Sequence, residues 1–172
     1  MSDELHATCL RATGLLELGL PEEALEELNE LTAEHRESSI AIHLRVDALF
    51  RLKKWAEAAA LCMPKLEAEP GDPGWWIQAA FATRRAECVE QAEPILRRAL
   101  EHHPRHGLIL YNLACYACVQ DRTEEARQRL EAAAGEDTDL YLKMAEADPD
   151  LAAVRSWVIA WQARRREKLA QS

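Results

Sequence analysis

Residues 73–105, PGWWIQAAFATRRAECVEQAEPILRRALEHHPR, contain the pattern that sets the fold of the whole chain. The stretch reads as an aromatic-rich amphipathic helix followed by a helix rich in alanine and leucine, and Pro104 closes it. Its landmarks recur at intervals of 34 residues, since Ala92 matches Ala58 and Ala126. Two helices in each such period predict an all-α solenoid of antiparallel helix pairs rather than one globular core.

This period divides the chain into four repeats and a terminal segment. The repeats span residues 5–38, 39–72, 73–106 and 107–140, and the segment 141–172 departs from the period. Apolar residues of that segment recur at helical spacing at Leu151, Val154, Trp157, Val158 and Trp161. The spacing predicts a helix with one buried face, which caps the array. No linker-like composition interrupts the chain, so we expect a single domain over residues 1–172.

Charge is unevenly distributed along the chain, whose net charge is −9. Residues 1–38 carry ten acidic and two basic side chains, whereas residues 151–172 carry five basic and one acidic side chain. An acidic chain binds the phosphates of nucleic acids poorly, so we expect no nucleic-acid partner. A membrane partner is not expected either, because no signal peptide or spanning stretch is found in the sequence. The odd number of cysteines, five, favours a reducing cytoplasm.

The repeats resemble the tetratricopeptide repeat family. When each repeat is counted from 1 to 34, small residues occupy positions 8 and 20 (Ala80 and Ala92 in the third repeat), and Pro104 occupies position 32. Small side chains at these positions let the two helices approach closely. Arg11 and Arg45 depart from the pattern, because position 7 is usually leucine. The resemblance implies a right-handed superhelical solenoid.

In this family the first helices of successive repeats line a concave groove that holds a peptide or a partner helix. The resemblance implies that positions 2, 5, 9, 12 and 13 face the groove. The candidate partner-binding residues at these positions are Asp47, Phe50, Arg51, Ile77, Phe81, Arg84, Arg85, Leu108, Tyr111 and Cys115. Such a surface suits a protein or peptide with apolar anchors and an acidic flank. The lysines of the family's carboxylate clamp for chaperone tails are missing, so we do not expect that ligand.

The cysteine and histidine clusters lack the spacing of a metal or catalytic site. Cys115 and Cys118 form a C-x-x-C in mid-helix, where the dipole lowers no pKa and no second pair completes a zinc site. His102, His103 and His106 surround an inter-repeat turn without an acidic or cysteine ligand at suitable spacing. No nucleotide-binding or hydrolase motif occurs. We therefore expect packing or solvated roles for these residues, with no metal, no cofactor and no catalytic activity.

Two adjacent tryptophans begin the third repeat. Side chains that are neighbours in a helix point about 100° apart, so Trp75 and Trp76 face different surroundings. Trp76 takes the family's aromatic packing position. For Trp75 we expect packing at the core or its edge, and partial exposure toward the preceding repeat is the alternative.

Three functional classes remain open. The first is a non-catalytic interaction module that binds a segment of a partner protein in the groove. The second is a dedicated chaperone, because the length, acidity and repeat-plus-cap layout look like those of bacterial type III secretion translocator chaperones. The third is a self-assembling scaffold, in which the acidic first repeat of one molecule contacts the basic tail of another. Weak self-association is compatible with this charge asymmetry.

Overall fold

The computed structural model describes residues 3–170, and all of its regular elements within that range are helical. The α-helices are α1 (Asp3–Glu17), α2 (Pro21–Asn29), α3 (Ala33–Arg36), α4 (Ser39–Arg51), α5 (Trp55–Ala68), α6 (Pro73–Ala86), α7 (Val89–His102), α8 (Gly107–Val119), α9 (Thr123–Ala134), α10 (Thr138–Ala147) and α11 (Arg155–Ala170). A 3-10 turn, Pro149–Val154, precedes α11. The predicted all-α class is confirmed. None of the helices found between residues 3 and 170 has the length and apolar character needed to cross a membrane.

The helices fall into two compact bodies. The N-terminal body contains residues 3–70 and 74–88, and the C-terminal body contains residues 71–73 and 89–170. Within the N-terminal body α1 packs against α2 and α4, and α4 packs against α5. Within the C-terminal body α8 packs against α7 and α9, and α10 lies between α9 and α11. The single domain remains a prediction.

Positions 20 and 24 of the repeat are buried in all four copies. Position 20 is alanine throughout, and its four copies are fully buried: Ala24, Ala58, Ala92 and Ala126. Position 24 is at most 1% exposed in each copy: Leu28, Cys62, Leu96 and Leu130. The alanines let the helices approach closely, and the larger side chains one turn later fill the space beside that contact. The 34-residue register therefore coincides with the observed core.

The turn between the paired helices has the same backbone conformation in three repeats. Gly19, Lys53 and Asp121 all stand at position 15, with φ values of 76°, 58° and 60°. This left-handed region is free of steric cost only for glycine, so Lys53 and Asp121 adopt it against their own preference. Each turn ends one helix and allows the next to start after a few residues.

Two helices differ from their predicted extents. The amphipathic pattern of PEEALEELNELTAEH predicts a second helix over residues 21–35 in the first repeat. In the structure this helix ends at Asn29, and the Thr32 side chain caps a new short helix by accepting a hydrogen bond from the His35 N–H at 3.3 Å. The Asp148-Pro149 pair is typical of a helix start and predicts that the terminal helix begins directly after Asp148. Asp148 does act as the cap, since its Oδ1 accepts the Asp150 N–H at 2.9 Å, but the chain first forms the 3-10 turn.

Candidate protein-binding site

Three aromatic rings from α4, α5 and α6 meet in the N-terminal body. The ring centroid of Phe50 lies 5.3 Å from that of Phe81 and 5.6 Å from that of Trp55, and Trp55 and Phe81 are 5.7 Å apart. Tilted and edge-on ring pairs at such distances attract one another. All three side chains are only half-buried, so this aromatic cluster (Phe50, Trp55 and Phe81) leaves apolar surface open to a partner.

Arg85 lies over the aromatic cluster. Its Cζ atom is 4.8 Å from the ring centroid of Phe81 and 5.8 Å from that of Trp55. The side chain is exposed, and within residues 3–170 it makes no hydrogen bond or ion pair. The electron-rich ring faces attract the guanidinium, and its N–H donors remain available for an acidic ligand.

The other candidate residues of the N-terminal body lie on α4 and α6. Arg51 pairs with Asp47 on its own helix, with 3.1 Å between Nη2 and Oδ2. Its Nη1 also donates to the carbonyl oxygen of Leu16 at 2.7 Å, which ties α4 to the end of α1. Ile77 and Arg84 are both half-buried on α6, the helix that carries two members of the site. The guanidinium of Arg51 is therefore partly occupied by hydrogen bonds within the chain.

The candidate residues of the C-terminal body have different surroundings. Tyr111 and Cys115 are each 3% exposed, and Leu108 is half-buried. The Tyr111 hydroxyl donates to Oδ2 of Asp148 at 2.9 Å, Cys115 Sγ lies 3.5 Å from the same oxygen, and the Tyr141 ring packs at 5.7 Å. Burial, together with Cys115 and Asp148, raises the pKa of Tyr111. In this structure the chain's own C-terminal segment covers these two side chains.

The cysteine pair of α8 is buried, with Cys115 and Cys118 at 3% and 4% exposure. Burial raises the pKa of Cys118, so its thiol is protonated at neutral pH. Cys115 also lies near two carboxylates, because its Sγ and oxygens of Asp148 and Asp150 are within 4.8 Å of one another. Asp148 already accepts hydrogen bonds on both oxygens, from the Tyr111 hydroxyl and Cys115 thiol on one and from the Asp150 backbone on the other. These hydrogen bonds account for the cluster.

Trp75 is fully buried, as the expected core packing requires, and the alternative of partial exposure is wrong. It stacks on His43 of the preceding repeat, with ring centroids 3.6 Å apart, and its indole N–H donates to Glu69 at 3.0 Å. Glu69 also accepts hydrogen bonds from Ser39 at 2.6 Å and from Lys65 at 2.9 Å. The hydrogen bonds from Ser39, Lys65 and Trp75 lower the pKa of Glu69 to about 2. These three hydrogen bonds to Glu69, here called the Glu69 anchor, join α4, α5 and α6.

Trp55 is the member of the aromatic cluster that sequence reasoning missed. It stands at position 17, the start of the second helix, which is not a groove position of the family. The other repeats carry smaller residues there, namely Pro21, Val89 and Thr123. A single large aromatic residue at an otherwise small position is the signal that could have identified it.

Comparison with known proteins identifies the repeat. A tetratricopeptide repeat profile matches residues 9–73 and 79–152. The structure of MamA 41-end from Desulfovibrio magneticus RS-1 is 17% identical, with a TM-score of 0.72 and coverage of 100% of this chain and 99% of that chain. The MamA RS-1 ArsTM double mutant is 14% identical, with a TM-score of 0.68 and coverage of 86% and 80%. No curated protein sequence matches, and these structures show likeness of fold alone. The chain belongs to the tetratricopeptide repeat family.

Proposed function

We propose that the chain is a non-catalytic protein-interaction module that holds an apolar partner segment with an acidic flank against Phe50, Trp55, Phe81 and Arg85. The observation that carries this proposal is the half-buried aromatic cluster with an exposed arginine stacked on it. Aromatic and arginine side chains dominate the binding energy at protein interfaces. An apolar partner side chain would cover the rings, and a neighbouring carboxylate would accept hydrogen bonds from the guanidinium.

The experiment is a selection from a displayed peptide library on the immobilised full chain, followed by titration of the enriched peptides. We expect these peptides to combine an aromatic or aliphatic anchor with a nearby Asp or Glu. Phe81→Ala should weaken their binding by about 1–3 kcal/mol, because it removes a ring from the centre of the cluster. Ile159→Ala is the matched control, since Ile159 is an exposed apolar side chain of α11 in the other body.

Arg85→Glu tests the acidic flank. The charge reversal should weaken binding more at low salt than at high salt, because ions screen exposed charges. Unchanged affinity of the folded Phe81→Ala and Arg85→Glu variants would place the binding surface elsewhere. That Phe81 and Tyr111 face one concave groove stays a prediction.

The cysteines and the net charge support the proposed location and the proposed class of partner. Five free cysteines are compatible with a reducing cytoplasm, and the net charge of −9 disfavours nucleic acid as the partner. Sedimentation at low and high salt separates the module from the self-assembling scaffold, whose charge-paired contacts would dissociate as salt rises. A dedicated chaperone would instead protect one exported protein from aggregation. Light scattering of that protein with and without the chain measures this.

A further inference from the structure

Arginine replaces the family's usual leucine at position 7 in the first two repeats, and the two arginines have different partners. In the first repeat, Nε of Arg11 donates to Oε1 of Glu27 at 2.5 Å, and its Nη2 donates to the Thr8 hydroxyl at 2.9 Å. The side chain of Arg11 is also 57% exposed, so water and a carboxylate share its solvation. Both hydrogen-bond partners of Arg11 therefore lie in its own repeat.

Arg45 occupies the same position in the second repeat without either partner. The residue that corresponds to Glu27 is Leu61, and the residue that corresponds to Thr8 is Ile42. Arg45 is half-buried, its Nε atom is buried without a hydrogen-bond partner, and no ion pair of Arg45 is found in residues 3–170. A guanidinium that is partly withdrawn from water is stabilised by a nearby counter-charge.

Arg45 lines an open cleft of about 390 Å³ between α2, α4 and α5. Eight residues line it: Leu25, Asn29, Arg45, Leu49, Lys54, Glu57, Ala60 and Leu61. Glu57 does not neutralise Arg45, because it pairs with Lys54 at 3.9 Å. The cleft therefore combines apolar walls with one uncompensated guanidinium, and its volume falls in the range of small-molecule sites.

We propose that this cleft binds a small monocarboxylic acid with a compact apolar body, whose carboxylate pairs with Arg45. The ligand carboxylate would supply the counter-charge that Glu27 supplies to Arg11 in the first repeat. Its apolar body would lie against Leu25 and Leu61, and the planar guanidinium offers two parallel N–H donors to a carboxylate. The cleft uses none of the side chains assigned to the protein-binding site, so it can be tested separately.

The probe is 4-methylpentanoate, titrated into the full chain and followed through the ¹⁵N–¹H resonance of the Arg45 Nε. We expect saturable binding in the millimolar range, as suits so few ligand atoms. The neutral analogue 4-methylpentan-1-ol has the same apolar body and should bind at least about tenfold more weakly, because it lacks the charge-assisted hydrogen bonds.

Two variants remove the site in different ways. Arg45→Leu restores the family's residue and removes the cation, and Leu61→Glu rebuilds the internal counter-charge of the first repeat. Both should lower the affinity for the acid by at least about tenfold, whereas Arg105→Leu, which removes an exposed arginine from a turn, should leave it unchanged. Far-ultraviolet circular dichroism checks that each variant is folded, and Arg45→Leu, which restores the family's usual residue, still tests the proposal if Leu61→Glu does not fold. The proposal is overturned if the acid does not saturate, if acid and alcohol bind equally, or if Arg45→Leu binds as the natural sequence does.

Discussion

Helices α4 and α8 carry equivalent positions of the repeat, yet their inward side chains differ in exposure. At positions 5 and 9, α4 presents the half-buried His43 and Asp47, whereas α8 presents Tyr111 and Cys115, each 3% exposed. The difference comes from the C-terminal segment, in which Asp148 accepts hydrogen bonds from both α8 side chains. A repeat position thus determines the direction in which a side chain points. Its availability to a partner depends on what the rest of the chain places over it.

Among the variants considered, deletion of residues 149–172 should change the exposure of the α8 side chains and the stability of the chain most. It removes Leu151, Val154 and Val158, all fully buried, and burial of each such side chain contributes roughly 1.5–3 kcal/mol. We expect the free energy of unfolding, measured by urea titration, to fall by about 5 kcal/mol or more. Cys118 should also react faster with a thiol reagent. A shortened chain with the same melting temperature would show that the segment is not a cap.

Asp148→Ala should expose the α8 side chains less than the deletion does. The substitution removes the acceptor for the Tyr111 hydroxyl and the cap of the Asp150 N–H, which together should lower the free energy of unfolding by about 2–4 kcal/mol. Near-ultraviolet circular dichroism should report the loosened tyrosine. Glu146→Ala, an exposed position on the same segment, is the control and should be nearly neutral. Equal losses in the two variants would show that the hydrogen bonds of Asp148 do not contribute specially to stability.

The Glu69 anchor gives the α4 region a pH dependence of its own. Its folded pKa of about 2 lies below the ordinary value of 4.5, so its stabilisation is present above pH 4.5 and is lost as the pH falls toward 2. Since the side chain is 34% exposed, screening by solvent reduces the effect to about 1 kcal/mol. Urea titrations across this range should show a smaller loss for Glu69→Gln than for the natural sequence. Glu101→Gln, at an exposed position, should retain the full loss.

Asp47→Ala should have the smallest effect. Asp47 and Arg51 are 47% and 44% exposed, and exposed pairs one helical turn apart contribute at most about 0.5 kcal/mol. Thermal melts should therefore nearly coincide with those of the natural sequence. A loss above about 1 kcal/mol would mean that Asp47 holds Arg51 in place for its bond to the Leu16 carbonyl, which would make it part of the packing.

The fold was largely predictable because its determinants repeat. Ala58 and Ala92 mark a close helix contact one period apart, and such a contact tolerates few residue types. The break at Thr32 was not predictable from periodicity, because the 3.6-residue pattern continues through it. A local side-chain cap competes there with the continuing helix, and the two alternatives differ by about 1 kcal/mol.

The site was predictable only in part. Phe50, Phe81 and Arg85 could be placed together because they share groove positions on successive first helices. The burial of Tyr111 depends on Asp148, which lies 37 residues further along in a segment outside the period. No local pattern signals a contact of that kind.

The left-handed turn at position 15 has a further consequence for how such a chain can change. Glycine, lysine and aspartate all occupy it, so the dihedral angle is retained although the residue is not. Exchange of residues there costs about 1–2 kcal/mol at most. Insertion of a single residue within the following helix would instead rotate the residues after it by about 100° and turn part of its alanine face away from the paired helix. We therefore expect exchanges at position 15 to be tolerated better than insertions in the helix that follows, because exchanges leave the register of the alanine face unchanged.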